Sequence, residues 1–162
     1  MLSQDMCVPC GEGYLNIRVG AIILKDGKFL MVDNPETDYL YTVGGRIQFG
    51  ETAEEAVVRE VFEETGVKME VDRLGFIHEC YFICDGPTRF GKTVYELGLY
   101  FYMKTPEDFE PVCKSFNEFG VEEFLTWAGC DDERSYYPAF FRTELRHPQP
   151  GVKHFFDDDR PR

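Results

Sequence analysis

The sequence lacks any apolar run long enough to cross a membrane. The stretch from Val19 to Leu24 is interrupted at once by Lys25, Asp26 and Gly27, whereas a transmembrane helix needs about 20 apolar residues. The N-terminus also lacks a basic segment followed by an apolar one, the pattern of a secretion signal. These absences predict a protein with no membrane partner and a cytoplasmic location.

Positive charge is scarce as well. Lys and Arg number 17 against 30 Asp and Glu, so the formal net charge at pH 7 is −13. A field of this sign repels polyphosphate backbones, which argues against nucleic acid as a partner. Small anionic substrates remain compatible with it, because bound divalent cations reverse the local sign of the charge. The acidic run from Asp157 to Asp159 is interpreted as a solubilising segment.

Histidines are few and scattered, and the cysteines do not complete a zinc motif. Three His and six Cys are present. The pair Cys7-x2-Cys10 looks like half of a zinc ribbon, but a four-cysteine site needs a second closely spaced pair. Cys80-x3-Cys84 lies within a predicted strand and is a poor candidate for it. Structural zinc stays open, and reduced thiols are the simpler interpretation for a cytosolic protein.

The apolar content is sufficient for one folded domain. The 162 residues are 43% hydrophobic and 15% aromatic, which suits a single domain with a substantial core. No linker or internal repeat marks a boundary. We therefore predict one domain over residues 1–162, with its core at residues 16–146 and short extensions on either side.

Turn signals and alternating apolar residues predict the secondary structure outside the segment 45–67. The predicted strands are 16–25, 28–33, 39–43, 68–74, 76–84, 93–104 and 122–128, and a helix is predicted over 137–146.

The segment from Thr52 to Gly66 carries the signals of a helix. Thr52 and Glu55 form a capping box, in which each side chain accepts a hydrogen bond from a free backbone N–H. Gly66 stands where a left-handed residue would end the helix. This pattern predicts a helix from Ala53 to Thr65. Its buried arc is expected to consist of Val57, Val58, Val61 and Phe62.

Three carboxylates share one face of this predicted helix. Glu60, Glu63 and Glu64 stand at i, i+3 and i+4. Such a cluster is self-repelling unless a cation is present, and hard oxygen ligands suit Mg²⁺ or Mn²⁺ better than Zn²⁺. A solvated acidic face is the alternative if the three residues are considered alone.

The spacing from Gly45 to Val67 resembles the Nudix box without a mismatch. It consists of Gly45, five residues, Glu51, seven residues and Arg59-Glu60-Val61-Phe62-Glu63-Glu64-Thr65-Gly66-Val67. The resemblance implies an α/β fold, the Nudix-type α/β/α sandwich with a mixed β-sheet between helices. It also implies a hydrolase that depends on Mg²⁺, or on Mn²⁺, and cleaves a nucleoside diphosphate linked to another group by water attack at phosphorus. An ADP-sugar-like substrate is favoured.

The same resemblance implies roles for residues of the box. The metal would be held by the backbone carbonyl of Gly45 and the side chains of Glu60, Glu63 and Glu64. Arg59 would orient a box carboxylate, and Glu51 would be the partner of that arginine. A charge-assisted pair of this kind can fix side-chain conformations in a crowded acidic site.

Catalytic and substrate-binding candidates also lie outside the box. Glu118, just before the last predicted strand, is a candidate for the proton acceptor or a further metal ligand. Glu96, within an apolar strand, is a second candidate for the proton acceptor and a candidate substrate-binding residue. Each is alternatively an exposed acid. Arg18, a charge inside an apolar strand, is a candidate phosphate or ribose contact. Tyr41 is a candidate for stacking on a base, or else a core aromatic.

Alternative functions remain open. The chain is alternatively a nucleoside triphosphate or dinucleoside polyphosphate hydrolase, or a non-catalytic nucleotide sensor with the Nudix fold. The presence of every metal-holding glutamate favours an enzyme over a sensor. The expected partner is a small-molecule nucleoside diphosphate derivative. A homodimer also stays open.

Overall fold

Strands outnumber helices in the computed structural model, which describes residues 4–112, 115–117 and 120–162. The helices are α1 (Ala53–Thr65) and α2 (Phe141–Glu144). The strands are β1 (Cys7–Cys10), β2 (Gly13–Ile22), β3 (Leu24–Lys25), β4 (Lys28–Asp33), β5 (Tyr39–Thr42), β6 (Gly44–Arg46), β7 (Val71–Ile83), β8 (Thr93–Met103), β9 (Ser115–Phe116), β10 (Glu122–Ala128), β11 (Ser135–Tyr137) and β12 (Lys153–Asp158). Within the described ranges, no helix has the length and apolar character needed to cross a membrane.

Helix α1 begins and ends as predicted. The Thr52 hydroxyl accepts a hydrogen bond from the Glu55 N–H, the Glu55 carboxylate accepts one from the Thr52 N–H, and Gly66 ends the helix at φ 73°. The prediction that Phe62 is buried is wrong, because its side chain is 46% exposed. The buried arc is centred on Val61 and Glu64 instead. Because each residue turns the helix by about 100°, Phe62 points away from this arc.

The strands form two mixed sheets. The first has the order β1-β2-β8-β7-β12, with β6 also paired to β2. The second has the order β11-β5-β4-β10-β9, with β3 also paired to β4. Strand pairs β2/β8, β7/β12 and β5/β11 are parallel and the remaining pairs are antiparallel.

Two apolar clusters lie on opposite sides of the strands. One contains Val19 and Val32 together with Val61 of α1. The other contains Ile22 together with Phe141 of α2. Since neighbouring residues of a strand point in opposite directions, the same strands contribute to both clusters. Helices therefore cover the strands from two sides.

The structure corrects three of the predicted element bounds. Residues 68–74 and 76–84 were predicted as separate strands, but β7 is continuous and carries register irregularities between Val71 and Arg73 and between Leu74 and Phe76. The predicted helix 137–146 is limited to Phe141–Glu144. Its expected first residue, Tyr137, instead pairs with Tyr41 as the end of β11.

The segments predicted as extensions form edge strands of the first sheet. Strand β1 pairs with β2, and β12 pairs with β7. The Phe155 ring of β12 stacks on Phe140, with centroids 4.2 Å apart and planes 6° apart. Asp157 Oδ2 lies 2.8 Å from Nε2 of the buried His78. The acidic run at 157–159 thus has a structural contact in addition to its charge.

Phe155→Ala should lower the free energy of unfolding by about 2 kcal/mol, less than the loss of a fully buried Phe because this side chain is only partly buried. Phe156→Ala is the matched control, because the side chain of Phe156, next to Phe155 in the sequence, is 56% exposed. The control should cost about 0.5 kcal/mol or less. Urea unfolding of both variants measures the difference, and equal losses would contradict the contact described for β12.

Candidate active site

A pocket of about 660 Å³ lies where β2, β6, β8 and β10 approach α1. Its volume is within the range usual for small-molecule sites, roughly 300–1,000 Å³. The predicted site residues that line it are Arg18, Tyr41, Gly45, Glu60, Glu63, Glu64 and Glu96. Glu118 lies outside the described residues, and its proposed role stays a prediction.

Arg59 ties the box carboxylates together. Its Nε and Nη2 donate to the two oxygens of Glu51 at 3.0 and 2.6 Å. Its Nη1 donates to Glu60 at 2.6 Å and to Glu63 at 3.3 Å. The hydrogen bonds to Glu51, and then those to Glu60, raise the pKa of the Arg59 guanidinium. Arg59 is therefore a fixed cation beside the pocket, placed to orient Glu60.

Gly45 and Glu60 are in close contact. A Cβ atom at position 45 would lie 2.5 Å from Glu60 Oε1, so any side chain there would displace the carboxylate. The Glu60 side chain is only 14% exposed. Burial raises the pKa of Glu60, although its hydrogen bond to Arg59 opposes the change. Glycine at this position lets the backbone of β6 approach the acidic face of α1.

Glu64 is the most deeply buried carboxylate of the box. Its Oε1 accepts a hydrogen bond from the Gly44 N–H at 3.0 Å. Its Oε2 is buried without a hydrogen-bond partner among the described residues. Burial raises the pKa of Glu64 well above its usual value, and the neighbouring charge of Glu60 adds to the effect. A buried acceptor of this kind costs free energy unless a donor or a cation reaches it.

Arg18 lies among the pocket carboxylates. Its Nε is buried and has no hydrogen-bond partner in the described part of the chain. Burial alone would lower the pKa of the guanidinium, but interactions with Glu96, and then with Tyr100, Glu64 and Glu60, raise it, and the net change is upward. The structure thus places a cation in the same pocket as Glu96 and the box glutamates, and its Nε has no hydrogen-bond partner in the described part of the chain.

Glu96 does not face outward into solvent from β8. It lines the pocket, and its Oε2 accepts a hydrogen bond from Asn16 Nδ2 at 2.6 Å. Asn16 Oδ1 in turn accepts from Arg46 Nε at 3.2 Å. Asn16 and Glu96 are direct partners in the register of β2 and β8.

Tyr41 has a polar partner in the pocket. Its hydroxyl donates to Glu123 Oε1, and the Ser115 hydroxyl donates to Glu123 Oε2 at 2.8 Å. Burial, followed by the hydrogen bond to Glu123, raises the pKa of Tyr41. This contact fixes the side chain at the wall of the pocket, and stacking of a base on Tyr41 stays a prediction.

Sequence reasoning missed Asn16, Arg46 and Glu123 as pocket residues. All three line the pocket. A polar residue inside a strand pattern, such as Asn16 between Leu15 and Ile17, was a signal that could have been used. Glu123 and Arg46 lacked a comparable signal, because polar residues at strand ends are usually exposed.

The described cysteines are free thiols. Cys7, Cys10, Cys80, Cys84 and Cys130 form no disulfide. Cys7 and Cys10 lie in β1, in the hairpin with β2. Within the described ranges, no three side chains of His, Cys, Asp or Glu form a preassembled metal site.

Comparison with known proteins identifies the family. A model of the NUDIX domain matches residues 15–143. The chain therefore belongs to the Nudix hydrolase family, and the resemblance inferred from the box is confirmed.

Two curated relatives match part of the chain. A MutT-like protein of Streptomyces ambofaciens is 35% identical over 60 residues, which are 37% of this chain and 39% of that protein. An ADP-ribose pyrophosphatase of Methanocaldococcus jannaschii is 44% identical over 61 residues, 36% of each protein. The chain thus matches less than two fifths of the length of either relative.

Solved structures resemble the chain over most of its length. A mutator MutT protein from Bacillus halodurans has a TM-score of 0.61 at 19% identity and covers 87% of this chain and 89% of its own. An ADP-ribose pyrophosphatase from Streptococcus suis has a TM-score of 0.56 at 19% identity, covering 88% of this chain and 98% of its own. At these identities the likeness shows the fold. The predicted mixed α/β Nudix fold is confirmed.

Proposed function

We propose that this chain is a pyrophosphohydrolase that cleaves a nucleoside diphosphate linked to another moiety, by attack of water at phosphorus. The observation that carries the proposal is the buried Glu64 Oε2, which has no hydrogen-bond partner among the described residues and lies beside Glu60 in a pocket of ligand size. Buried carboxylates without a donor are suited to a divalent cation.

The donor set fits Mg²⁺ or Mn²⁺. Glu60 and Glu64 supply carboxylate oxygens, Glu63 lies at the pocket edge, and the backbone of Gly45 is in contact with Glu60. These are hard oxygen donors on a helix and an adjoining strand, and Mg²⁺ in such sites is held by a few carboxylates and substrate phosphates. When bound, the ion would neutralise phosphate oxygens and lower the pKa of a bound water.

The remaining pocket residues have distinct roles in this proposal. Arg59 holds Glu60 in place through the 2.6 Å hydrogen bond between them. The guanidinium of Arg18, which lines the pocket, donates to a phosphate oxygen of the substrate. A carboxylate outside the box accepts the proton of the attacking water. No covalent intermediate with the protein is required, and the products are a nucleoside monophosphate and a phosphorylated remainder.

An ADP-linked sugar is the favoured substrate class. One partial relative is named an ADP-ribose pyrophosphatase, and its match is 44% identical. A panel of ADP-ribose, other nucleoside diphosphate sugars, nucleoside triphosphates and dinucleoside polyphosphates tests this choice in the presence of Mg²⁺ or Mn²⁺. The highest kcat/KM should belong to a nucleoside diphosphate sugar. A clear preference for a triphosphate or a dinucleoside polyphosphate would refute the substrate class.

Glu118→Gln should lower kcat by about 100-fold, the scale expected when a positioned proton acceptor is lost. Glu123→Gln is the comparison, because Glu123 is a pocket carboxylate that already accepts hydrogen bonds from Tyr41 and Ser115. Steady-state kinetics over a range of pH measures both variants. A loss of only a few-fold in Glu118→Gln, with a large loss in Glu123→Gln, would transfer the role to Glu123.

A further inference from the structure

Three hydrogen-bonded polar side chains on adjacent strands line part of the pocket. Arg46 of β6 donates to Asn16 of β2, and Asn16 donates to Glu96 of β8, through contacts of 3.2 and 2.6 Å. Asn16 is only 7% exposed. Since the oxygen of its amide accepts from a guanidinium and the nitrogen donates to a carboxylate, only one orientation of the amide satisfies both neighbours. Asn16 thereby fixes the position of Glu96.

Glu96 retains capacity for a ligand. Its Oε2 is bonded to Asn16, while no hydrogen bond to its Oε1 occurs among the described residues. An ionised carboxylate is an acceptor only. The matching ligand group must therefore donate hydrogen bonds, which excludes a phosphate at this position.

Arg18 lines the same pocket as Glu96 and the box glutamates Glu60 and Glu64. Its guanidinium interacts with the charges of Glu96, Glu64 and Glu60. Arg18 and Asn16 are two residues apart on β2 and point to the same face, about 6.6 Å from each other along the strand. A phosphate on Arg18 would thus place the next group of the substrate, a sugar, near Glu96.

We propose that Glu96 accepts hydrogen bonds from the vicinal hydroxyls of a sugar attached to the bound diphosphate, and that Asn16 is the positioning residue for this contact. The inference rests on the proposed function for the place of the diphosphate. The proposed contact requires a ligand with two vicinal hydroxyls, which can belong to the nucleoside ribose or to the second sugar.

A non-hydrolysable ligand separates this inference from catalysis. The probe is the α,β-methylene analogue of ADP-ribose with Mg²⁺, compared by calorimetry with two derivatives that lack both hydroxyls on the adenosine ribose or on the terminal ribose. Wild-type protein should lose about 10-fold or more in affinity for one of the derivatives, the scale for losing a hydrogen bond to a charged group. The derivative that loses affinity identifies the sugar.

Glu96→Gln should bind the parent analogue more weakly and should discriminate less than about three-fold between parent and derivative. Glu79→Gln is the matched control, since Glu79 lies on the neighbouring strand β7, does not line the pocket and accepts from Tyr95 at 2.6 Å. This control should retain wild-type discrimination. Asn16→Ala should remain folded and should show a smaller ratio of affinities between the parent analogue and the derivative. A merely structural role for Asn16 would leave this ratio unchanged.

Equal binding of parent and both derivatives by wild-type protein, or no binding of the parent, would overturn the inference. So would a Glu96→Gln variant that keeps hydroxyl discrimination but loses a preference between the adenine and guanine analogues, which would assign Glu96 to a base edge. Hydrolysis is measured separately. Turnover without hydroxyl discrimination refutes this inference alone, and discrimination without any turnover refutes the proposed function alone.

Discussion

Glu64→Gln is expected to lower kcat on the best substrate by about 1,000-fold while the protein remains folded. The substitution preserves volume and removes the buried charge that would hold the cation, whose stabilisation of the transition state amounts to several kcal/mol. Steady-state kinetics on purified variant and wild type measures the loss.

The same substitution should leave the thermal midpoint unchanged or slightly higher in metal-free buffer. Burial raises the pKa of Glu64, so the folded state disfavours its charge, and Glu60 adds repulsion. Glu54→Gln is the control, because Glu54 lies exposed in the first turn of the same helix. The control should retain nearly full activity. Near wild-type turnover in Glu64→Gln would contradict the assigned site.

Mg²⁺ and Mn²⁺ are expected to stabilise the protein and to be required for hydrolysis. Since the helix that carries the box carboxylates on one face forms only in the folded state, saturation at 100 times the dissociation constant should add about 2.7 kcal/mol to the free energy of unfolding. Thermal unfolding with and without the ion measures this effect. Ca²⁺ should bind but support little turnover, because its looser coordination positions the attacking water poorly.

Excess chelator is the corresponding removal experiment. Hydrolysis should stop when the chelator is added and should return when Mg²⁺ exceeds it. Full activity in chelator would refute the metal-dependent mechanism. A midpoint that rises with Mg²⁺ in a protein that hydrolyses no nucleotide of the panel would instead support a nucleotide sensor.

Local signals predicted α1 and its neighbourhood successfully. The capping box and Gly66 act within a few residues of chain, so the bounds Ala53 to Thr65 could be predicted from sequence. Arg59 and Glu51, which form an ion pair, are only eight residues apart in the sequence and belong to the same box. These features do not depend on how distant strands pair.

The misses arise where distant segments meet. Strand β12 exists because it pairs with β7 and buries Phe155 against Phe140, and no local pattern in a charged tail indicates such a partner. The position of Glu96 was undecided for the same reason. Whether a strand residue faces a pocket or solvent depends on the neighbouring strand. Here the neighbouring strand is β2, whose Asn16 pairs with Glu96 and donates a hydrogen bond to it.

Hydrolysis of ADP-ribose in H₂¹⁸O, with Mg²⁺ and with Glu64→Gln in parallel, tests the central claim most directly. Wild-type protein should release two monophosphorylated products, and mass spectrometry should find one ¹⁸O atom in the phosphate of one of them. The variant should release almost none. Absence of hydrolysis of ADP-ribose and of every related nucleoside diphosphate derivative, or products whose phosphates carry no ¹⁸O, would contradict it.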